Sequence, residues 1–364
     1  MKDKTVLVGL SGGVDSAMAA LLLLKQGYRV IGVTMSIWDS SIPISESTKS
    51  GCFGPGEAED IAAAAALSKK LGIEHHVITL KDEYKENVLS YFCSTYAEGK
   101  TPNPCLMCNQ RMKFGLLPAK AKEAGIEFDY FATGHYVRIS YDAASSRWQL
   151  FRAKDRGKDQ SYFLSFLAQE QLKNLIFPLG EMTKQEIKNF ARENGFSELA
   201  EKNESQDFLE SDDMSVLFDP ATIKEGEIVD VNGKVLGKHR GIINYTIGQR
   251  RNLGVAGFAE PHYVIAIEGA KNRIVLGTKE HLFKTKCRAT GVNWLSIAPI
   301  EKEIQATAKI RLQHEAAACK AKICEDGSLM VEFAEPQMSI TPGQGIVFYS
   351  DDLVLAGGII DTIA

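Results

Sequence analysis

Residues 5–10 (TVLVGL) form a short β-branched and aliphatic run that ends in Ser11-Gly12-Gly13-Val14-Asp15-Ser16. Val14–Lys25 follows, with Ala, Met and Leu at helical spacing. A buried strand, a glycine turn and a helix in that order commit the start of the chain to a βαβ pattern. The alternation continues to residue 135. Residues 29–37, 74–80 and 128–133 read as further strands. Residues 57–71, 84–96 and 110–123 read as helices, the first stopped by Gly72. Strands separated by helices imply a parallel sheet, hence an α/β domain. Ligands of such sheets gather at the carboxyl ends of the strands.

The turn after the first strand is a candidate anion site. Gly12 and Gly13 let the backbone approach an anion closely, and the helix start offers free N–H groups and a partial positive charge. Ser11 and Ser16 add hydroxyls. The string is neither GxGxxG nor GxxxxGK[ST], because no lysine stands where the second motif needs one. Asp15 beside a phosphate is repulsive unless a cation bridges the two, so Asp15 implies Mg²⁺. A ligand-free N-cap turn is the plainer alternative, but the full SGGxDS string favours the loop of the ATP pyrophosphatases, which it resembles.

After residue 135 the pattern changes. Residues 136–139 and 148–153 look like two strands, and residues 169–175 and 184–193 look helical. From about residue 225 the chain reads almost wholly β, with turns at Asn232-Gly233, Asp326-Gly327 and Pro342-Gly343. Residues 40–50 read as a mobile polar loop. The expected domains are 1–210 (catalytic α/β), 211–283 (small and β-rich) and 284–364 (β-barrel), which suits a length of 364 residues. No run approaches the ~20 apolar residues of a membrane helix. The N-terminus lacks a signal-peptide core. The net charge of −4 argues against a nucleic-acid partner until its distribution is considered. Residues 181–230 hold fourteen Asp/Glu against five Lys/Arg, whereas residues 284–322 hold eight Lys/Arg against three Asp/Glu. Two differently charged solvated faces, or a basic surface for a polyanion, both fit.

Seven cysteines, an odd number in a long chain, argue against a disulfide framework and for a reducing cytoplasm. Cys105 and Cys108 stand in Thr101-Pro102-Asn103-Pro104-Cys105-Leu106-Met107-Cys108-Asn109, just before the helix expected from residue 110. A thiol at a helix N-terminus has a lowered pKa, which makes Cys108 a candidate thiolate nucleophile. Half of a zinc site and a redox dithiol are weaker readings, since no second CxxC and no thioredoxin-like context are present. Cys52 falls after the second strand, on the same edge. Cys52, Cys105 and Cys108 would suit a [4Fe–4S] cluster with one open position. Cys93, Cys287, Cys319 and Cys324 read as inert thiols.

The phosphate loop together with PNPCxxCN resembles the bacterial tRNA-specific 2-thiouridylases. The strings at 132–136 (ATGHY), 158–164 (KDQSYFL), 177–180 (FPLG), 245–251 (YTIGQRR) and 341–344 (TPGQ) extend the resemblance along nearly the whole chain. The resemblance implies ATP over Gly9, Leu10, Ser11, Gly12, Gly13, Val14, Asp15 and Ser16, with Met35 and Gly134 flanking adenine and ribose. It implies a catalytic Cys108, and Asn103, Pro104 and Cys105 against the target base. It implies tRNA contacts at His135, Lys158, Asp159, Gln160, Arg311, Leu312 and Gln344. The implied reaction adenylates O2 of the wobble uridine, releases pyrophosphate, and then exchanges AMP for sulfur from sulfide or a sulfur-donor protein. Flipping a base out of an anticodon loop onto a basic scaffold would use the charge segregation.

Two departures stand out. Cys105 replaces an Asp found in many members. Leu209, in Ser205-Gln206-Asp207-Phe208-Leu209, replaces a second Cys that carries a persulfide, and Leu cannot carry sulfur. Either Cys105 and Cys108 act as the pair or a cluster carries the sulfur. Asp207 is a candidate base, although an exposed capping role suits it better. Two other functions remain at this level: an ATP pyrophosphatase synthetase acting on a small molecule, and a non-catalytic tRNA-binding paralogue.

Overall fold

The computed structural model describes residues 4–44, 51–202 and 207–363. Most of the loop expected at 40–50, and Ser205 and Gln206 of the departing string, lie outside them. Strands β1 (Thr5–Gly9), β2 (Arg29–Ser36), β4 (Glu74–Thr79) and β5 (Tyr130–Ala132) form a parallel sheet in the order β4-β2-β1-β5, extended by Leu175–Ile176. β3 (Gly51–Phe53) stands apart and pairs in parallel with Asp207–Leu209. The fifth sheet strand corrects the helix expected over 169–175. That helix ends at Leu172, and Leu175–Ile176 pairs with β5.

The side-chain period of two in β1 divides the domain into two cores. Leu7 joins Ile31, Val33 and the cysteine-bearing helix on one face. Val6 and Val8 face α1 (Val14–Lys25) and the helix Lys184–Glu193 on the other. These side chains are fully buried, worth roughly 1.5–3 kcal/mol each. α2 (Glu57–Leu71) ends as expected at Gly72, which is left-handed at φ 70°.

Four strands follow in the order Val235–His239, Gly226–Val229, Arg273–Gly277, Tyr263–Glu268, around Ile228, Tyr245, Val264, Ile274 and Leu276. Their Asn232-Gly233 turn is held by Asp230, which accepts from the Asn232 and Lys234 amides. In the last part, strands Phe283–Trp294, Leu329–Met338, Ala317–Ile323, Glu303–Lys309, Gly345–Ser350 and Leu353–Ile363 pair in that order. The first also pairs with the last, from Cys287↔Ile363 to Trp294↔Ala356, so the sheet closes into a barrel. The hairpin Val137–Asp142/Arg147–Arg152 leaves the α/β domain and joins this barrel sheet through Leu353↔Phe151. No helix among the described residues is long and apolar enough to cross a membrane.

Candidate active site

The Ser11–Ser16 turn lies at the carboxyl end of β1. Gly13 caps α1 with no side-chain hydrogen bond, so no side chain caps the first helical amides. Gly12 has φ 72°, and a Cβ there would meet Ala63 and the Asp60 carbonyl of α2 at 3.0 and 3.1 Å. The Ser11 amide donates to Ser16 Oγ, which itself donates to the Gly13 carbonyl. Leu10 and Val14 bury their side chains, so they offer a ligand only backbone. Gly134, after β5, presses on the loop from the other side: a Cβ there would lie 2.6 Å from the Asp15 carbonyl carbon and the Ser16 nitrogen. Gly9 is close-packed against Phe131, and Met35 stands half-buried on β2.

Asp15 departs from expectation. Both its oxygens accept from Lys184 Nζ at 2.8 Å, and Oδ1 also accepts from the Tyr136 hydroxyl at 2.6 Å. Lys184 is only 11% exposed and opens its helix behind a Thr183/Glu186 capping box. A magnesium ion on Asp15 does not fit this arrangement, because an ammonium already supplies the positive charge beside the loop. Lys184 is the lysine that the loop motif lacks, and it arrives from 169 residues away. The signal available in sequence was the TKQE capping box following FPLG.

The cysteine segment also differs from expectation. The helix begins at Pro104, not at residue 110. Pro104–Met107 is α and Cys108–Leu116 is a π-helix. Cys105 therefore occupies the first turn, and Cys108 lies inside the helix, 8% exposed. A lowered pKa at a helix start does not describe Cys108. Burial pushes its thiol up to about 11 against the pull of Lys113. Burial, with Cys52 and Cys108 nearby, pushes Cys105 up to about 12. Cys52 is exposed on β3, close enough to act electrostatically on both. Its strand is pinned beside Leu209, which is buried and registers with Phe53. Glu210 holds the following turn by accepting from the Gly56 amide at 2.8 Å. Glu57 ties α2 to the end of β2 by accepting from Ser36 Oγ and the Ile37 and Trp38 amides.

Cys52, Cys105 and Cys108, the thiols expected to hold a [4Fe–4S] cluster, lie within electrostatic reach of one another. No group of three or more His, Cys, Asp or Glu side chains among the described residues is disposed to hold a metal. All seven cysteines are free. Cys287 and Cys319 are buried in the barrel, and half-buried Cys93 donates to the Leu217 carbonyl.

His135 follows β5, its Nδ1 2.7 Å from Thr133 Oγ1. Burial, helped by Lys113, drives its pKa down to about 3, so its imidazole is neutral. Phe114 and Phe177 pack around it. Gln160 accepts from the Tyr136 amide, and Asp159 accepts from Ala153 N, Ser161 N and Ser161 Oγ. Lys158, Asp159, Gln160 and Leu312 line a cleft of about 760 Å³ with Arg152, Arg156, Lys309 and His314. Arg311 and Gln344 are not among its lining. Arg311 donates to the Ile247 carbonyl and to Thr341, and Gln344 Nε2 donates to the Thr101 and Pro102 carbonyls, each at 3.0 Å. Gln344 thereby joins the barrel to the stretch carrying Asn103, Pro104 and Cys105. Asp207 is exposed at the start of its strand.

A parallel sheet with a glycine-rich loop at the carboxyl end of its first strand, followed by two β domains, defines an α/β protein of the HUP class. Residues 4–209 match the family model described as tRNA methyl transferase HUP domain. Residues 215–278 match the PRC-barrel domain of that family, and residues 284–360 match the aminomethyltransferase β-barrel domain. More narrowly, the chain belongs to the tRNA-specific 2-thiouridylase family. It is 50% identical to the tRNA-specific 2-thiouridylase MnmA of Endomicrobium trichonymphae over 98% of this chain and 99% of that protein. The namesakes from Acetivibrio thermocellus and Syntrophotalea carbinolica are 41% and 43% identical, over 99% and 98% of this chain and 100% and 98% of theirs.

Proposed function

We propose that this chain is an ATP-dependent tRNA sulfurtransferase that converts the wobble uridine to 2-thiouridine. The observation that carries the proposal is an SGGVDS loop at the start of α1 and Cys108 packed against the same parallel sheet, in a chain whose relatives at 41–50% identity are thiouridylases. ATP lies along Gly9–Ser16, its phosphates on the open amides of α1 and its adenosine towards Met35 and Gly134. Lys184, held ready by Asp15, is the cation that meets the phosphates. Magnesium enters as the counter-ion of the nucleotide, not as an Asp15 ligand. No step runs through a metal or a cluster.

The uridine O2 attacks the α-phosphorus and pyrophosphate leaves, giving an O2-adenylate. This turns a poor leaving group into AMP. A sulfur-donor protein loads Cys108 as a persulfide, Cys108–S–SH. The terminal sulfur, deprotonated, adds at C2 and AMP departs, leaving Cys108–S–S–C2. The Cys105 thiolate then attacks Cys108 Sγ. The terminal sulfur stays on the base as 2-thiouridine, and a Cys105–Cys108 disulfide remains for an external dithiol to reduce. Three residues apart on one helix, the two Cβ atoms are about 5–6 Å apart, so this first turn must tighten to the roughly 3.5–4.5 Å of a disulfide as the bond closes. With hydrosulfide as donor, HS⁻ displaces AMP directly and no reductant is needed. Reduced thiols suit a cytoplasmic setting.

The tRNA lies over the cleft of Arg152, Arg156, Lys158 and Lys309, with the target base between Asn103–Cys105 and His135. Asp159, Gln160, Arg311 and Gln344 shape this surface from beneath. Cys105→Ser tests the pairing: it should abolish persulfide-driven thiolation and retain sulfide-driven thiolation. Full activity with a persulfide donor would remove Cys105 from the mechanism.

A further inference from the structure

Thr34 and His75 belong to none of the motifs, yet both bear on the phosphate loop. Thr34 is buried on β2, and His75 is half-buried on the edge strand β4. The two strands run in parallel register, with Gly32 opposite His75. Gly32 leaves room for the imidazole: a Cβ there would meet His75 Cδ2 at 3.3 Å and Leu10 Cδ1 at 2.5 Å. The ring reaches Thr34, two residues further along β2, with His75 Nε2 2.8 Å from Thr34 Oγ1.

The direction of these bonds is fixed. The Thr34 hydroxyl has one proton, and it goes to the Leu10 carbonyl at 2.9 Å, because a carbonyl only accepts. The bond between Thr34 and His75 is therefore donated by Nε2–H of the ring. Burial, and then His76, lower the pKa of His75, so the ring is neutral and its one N–H is the one on Nε2.

Leu10 is where strand becomes loop. Its amide still bonds as a strand residue does, donating to the Val33 carbonyl at 2.8 Å. Its carbonyl is held by a side chain. In a trans peptide the C=O and the next N–H point in opposite directions. Fixing the Leu10 carbonyl on Thr34 thus turns the Ser11 N–H away from β2 and into the loop. There it donates to Ser16 Oγ at 3.2 Å, and Ser16 Oγ donates to the carbonyl of Gly13, the cap of α1. One chain of hydrogen bonds runs from β4 to the start of α1, and each bond polarises the next.

We propose that Thr34 and His75 are positioning residues of the adenylation half-reaction, a relay that aims the Ser11 N–H at the phosphates of ATP. The proposal rests on the ATP reading of the loop. Neither side chain touches the nucleotide. Each acts through the Leu10–Ser11 peptide, which the relay keeps from turning when the Ser11 N–H exchanges Ser16 Oγ for a phosphate oxygen.

The test compares Thr34→Val, which keeps the shape and removes the hydroxyl, with Thr34→Ser, which keeps the hydroxyl. Two quantities are read on the full chain: hydrogen exchange of the Ser11 amide without ligand, by NMR, and the Kd of ATP, by calorimetry. Thr34→Val should speed exchange at Ser11 and weaken ATP about three- to tenfold, the effect of one hydrogen bond. Exchange at Val8, inside β1, should not move. Thr34→Ser should restore both quantities. His75→Leu should weaken ATP in the wild type and add nothing in Thr34→Val, where the bond it removes is already gone. It carries the same exchange prediction should Thr34→Val disturb the fold. Val8 and Ser11 speeding together, with additive losses in the double variant, would make the pair merely structural and overturn the proposal. An unmoved Ser11 amide or unchanged ATP affinity in folded Thr34→Val would overturn it as well. A wild type that binds no ATP would remove the nucleotide reading of the loop, and exchange at Ser11 would still decide the relay.

Discussion

Asp15 and Lys184 clasp each other beside the phosphate loop, and their pairing changes what the loop needs from its ligand. An ammonium held 2.8 Å from both carboxylate oxygens is positioned before ATP arrives. Lys184→Met should therefore slow tRNA-dependent pyrophosphate release about 10²-fold, in line with the loss of one charged stabiliser. Release at the wild-type rate would assign the lysine to structure alone. His135 makes a pH prediction. Its folded pKa, about 3, lies below its unfolded value near 6.5, so the unfolded chain takes up the proton first. Stability from this group is fully present above pH 6.5 and is lost as pH falls towards 3. Denaturant titrations of His135→Gln should show a shallower fall between those limits than the wild type; an identical acid limb would show that His135 is solvated. At this scale the sequence names the residues whose types define the chemistry. It does not name Lys184, whose partner is distant in the chain.

The element scale shows where local pattern suffices and where contact decides. The N-terminal strand, the helix Val14–Lys25 and the helix Glu57–Leu71 are legible because apolar spacing and a glycine stop agree. The cysteine helix is less legible. Two prolines mark its approach, but Pro104 serves as its first residue, a position that needs no N–H. The sheet strand Leu175–Ile176 is two residues long and exists because β5 is there to pair with it. Leu209 is explained by its register opposite Phe53 in a packed aromatic cluster, though the register does not explain the loss of a sulfur carrier. Gly134 tests how tightly these elements meet. Gly134→Ala would place a methyl 2.6 Å from the loop backbone and should cost about 1–3 kcal/mol in chemical denaturation, with weaker ATP binding by calorimetry. Unchanged stability and affinity would mean that the loop yields freely.

Across the whole molecule, the barrel is coupled to the chemistry. Gln344 bonds two carbonyls of the cysteine stretch, and Thr101 N donates to the Pro342 carbonyl. Gln344→Leu should lose about 1–3 kcal/mol of stability by leaving these carbonyls unpaired. It should also lower thiolation more than pyrophosphate release, since the role proposed for Thr101–Pro104 is to position the base and not ATP. Equal losses in both half-reactions would contradict that division. The β-rich second half was legible from its turns. The closure of its sheet by the first and last strands was not, because strands 60 residues apart carry no local sign of pairing. The charge segregation was legible as well, but only the fold brings Arg152, Arg156 and Lys158 of the α/β domain against Lys309 of the barrel. The most direct test follows both half-reactions on one tRNA carrying a wobble uridine, with ATP and a persulfide donor. Pyrophosphate and 2-thiouridine are measured in the wild type and in Cys108→Ser. The wild type should give both, each dependent on the tRNA, and Cys108→Ser should release pyrophosphate without 2-thiouridine. Pyrophosphate release without tRNA, or wild-type thiolation by Cys108→Ser, would contradict the account.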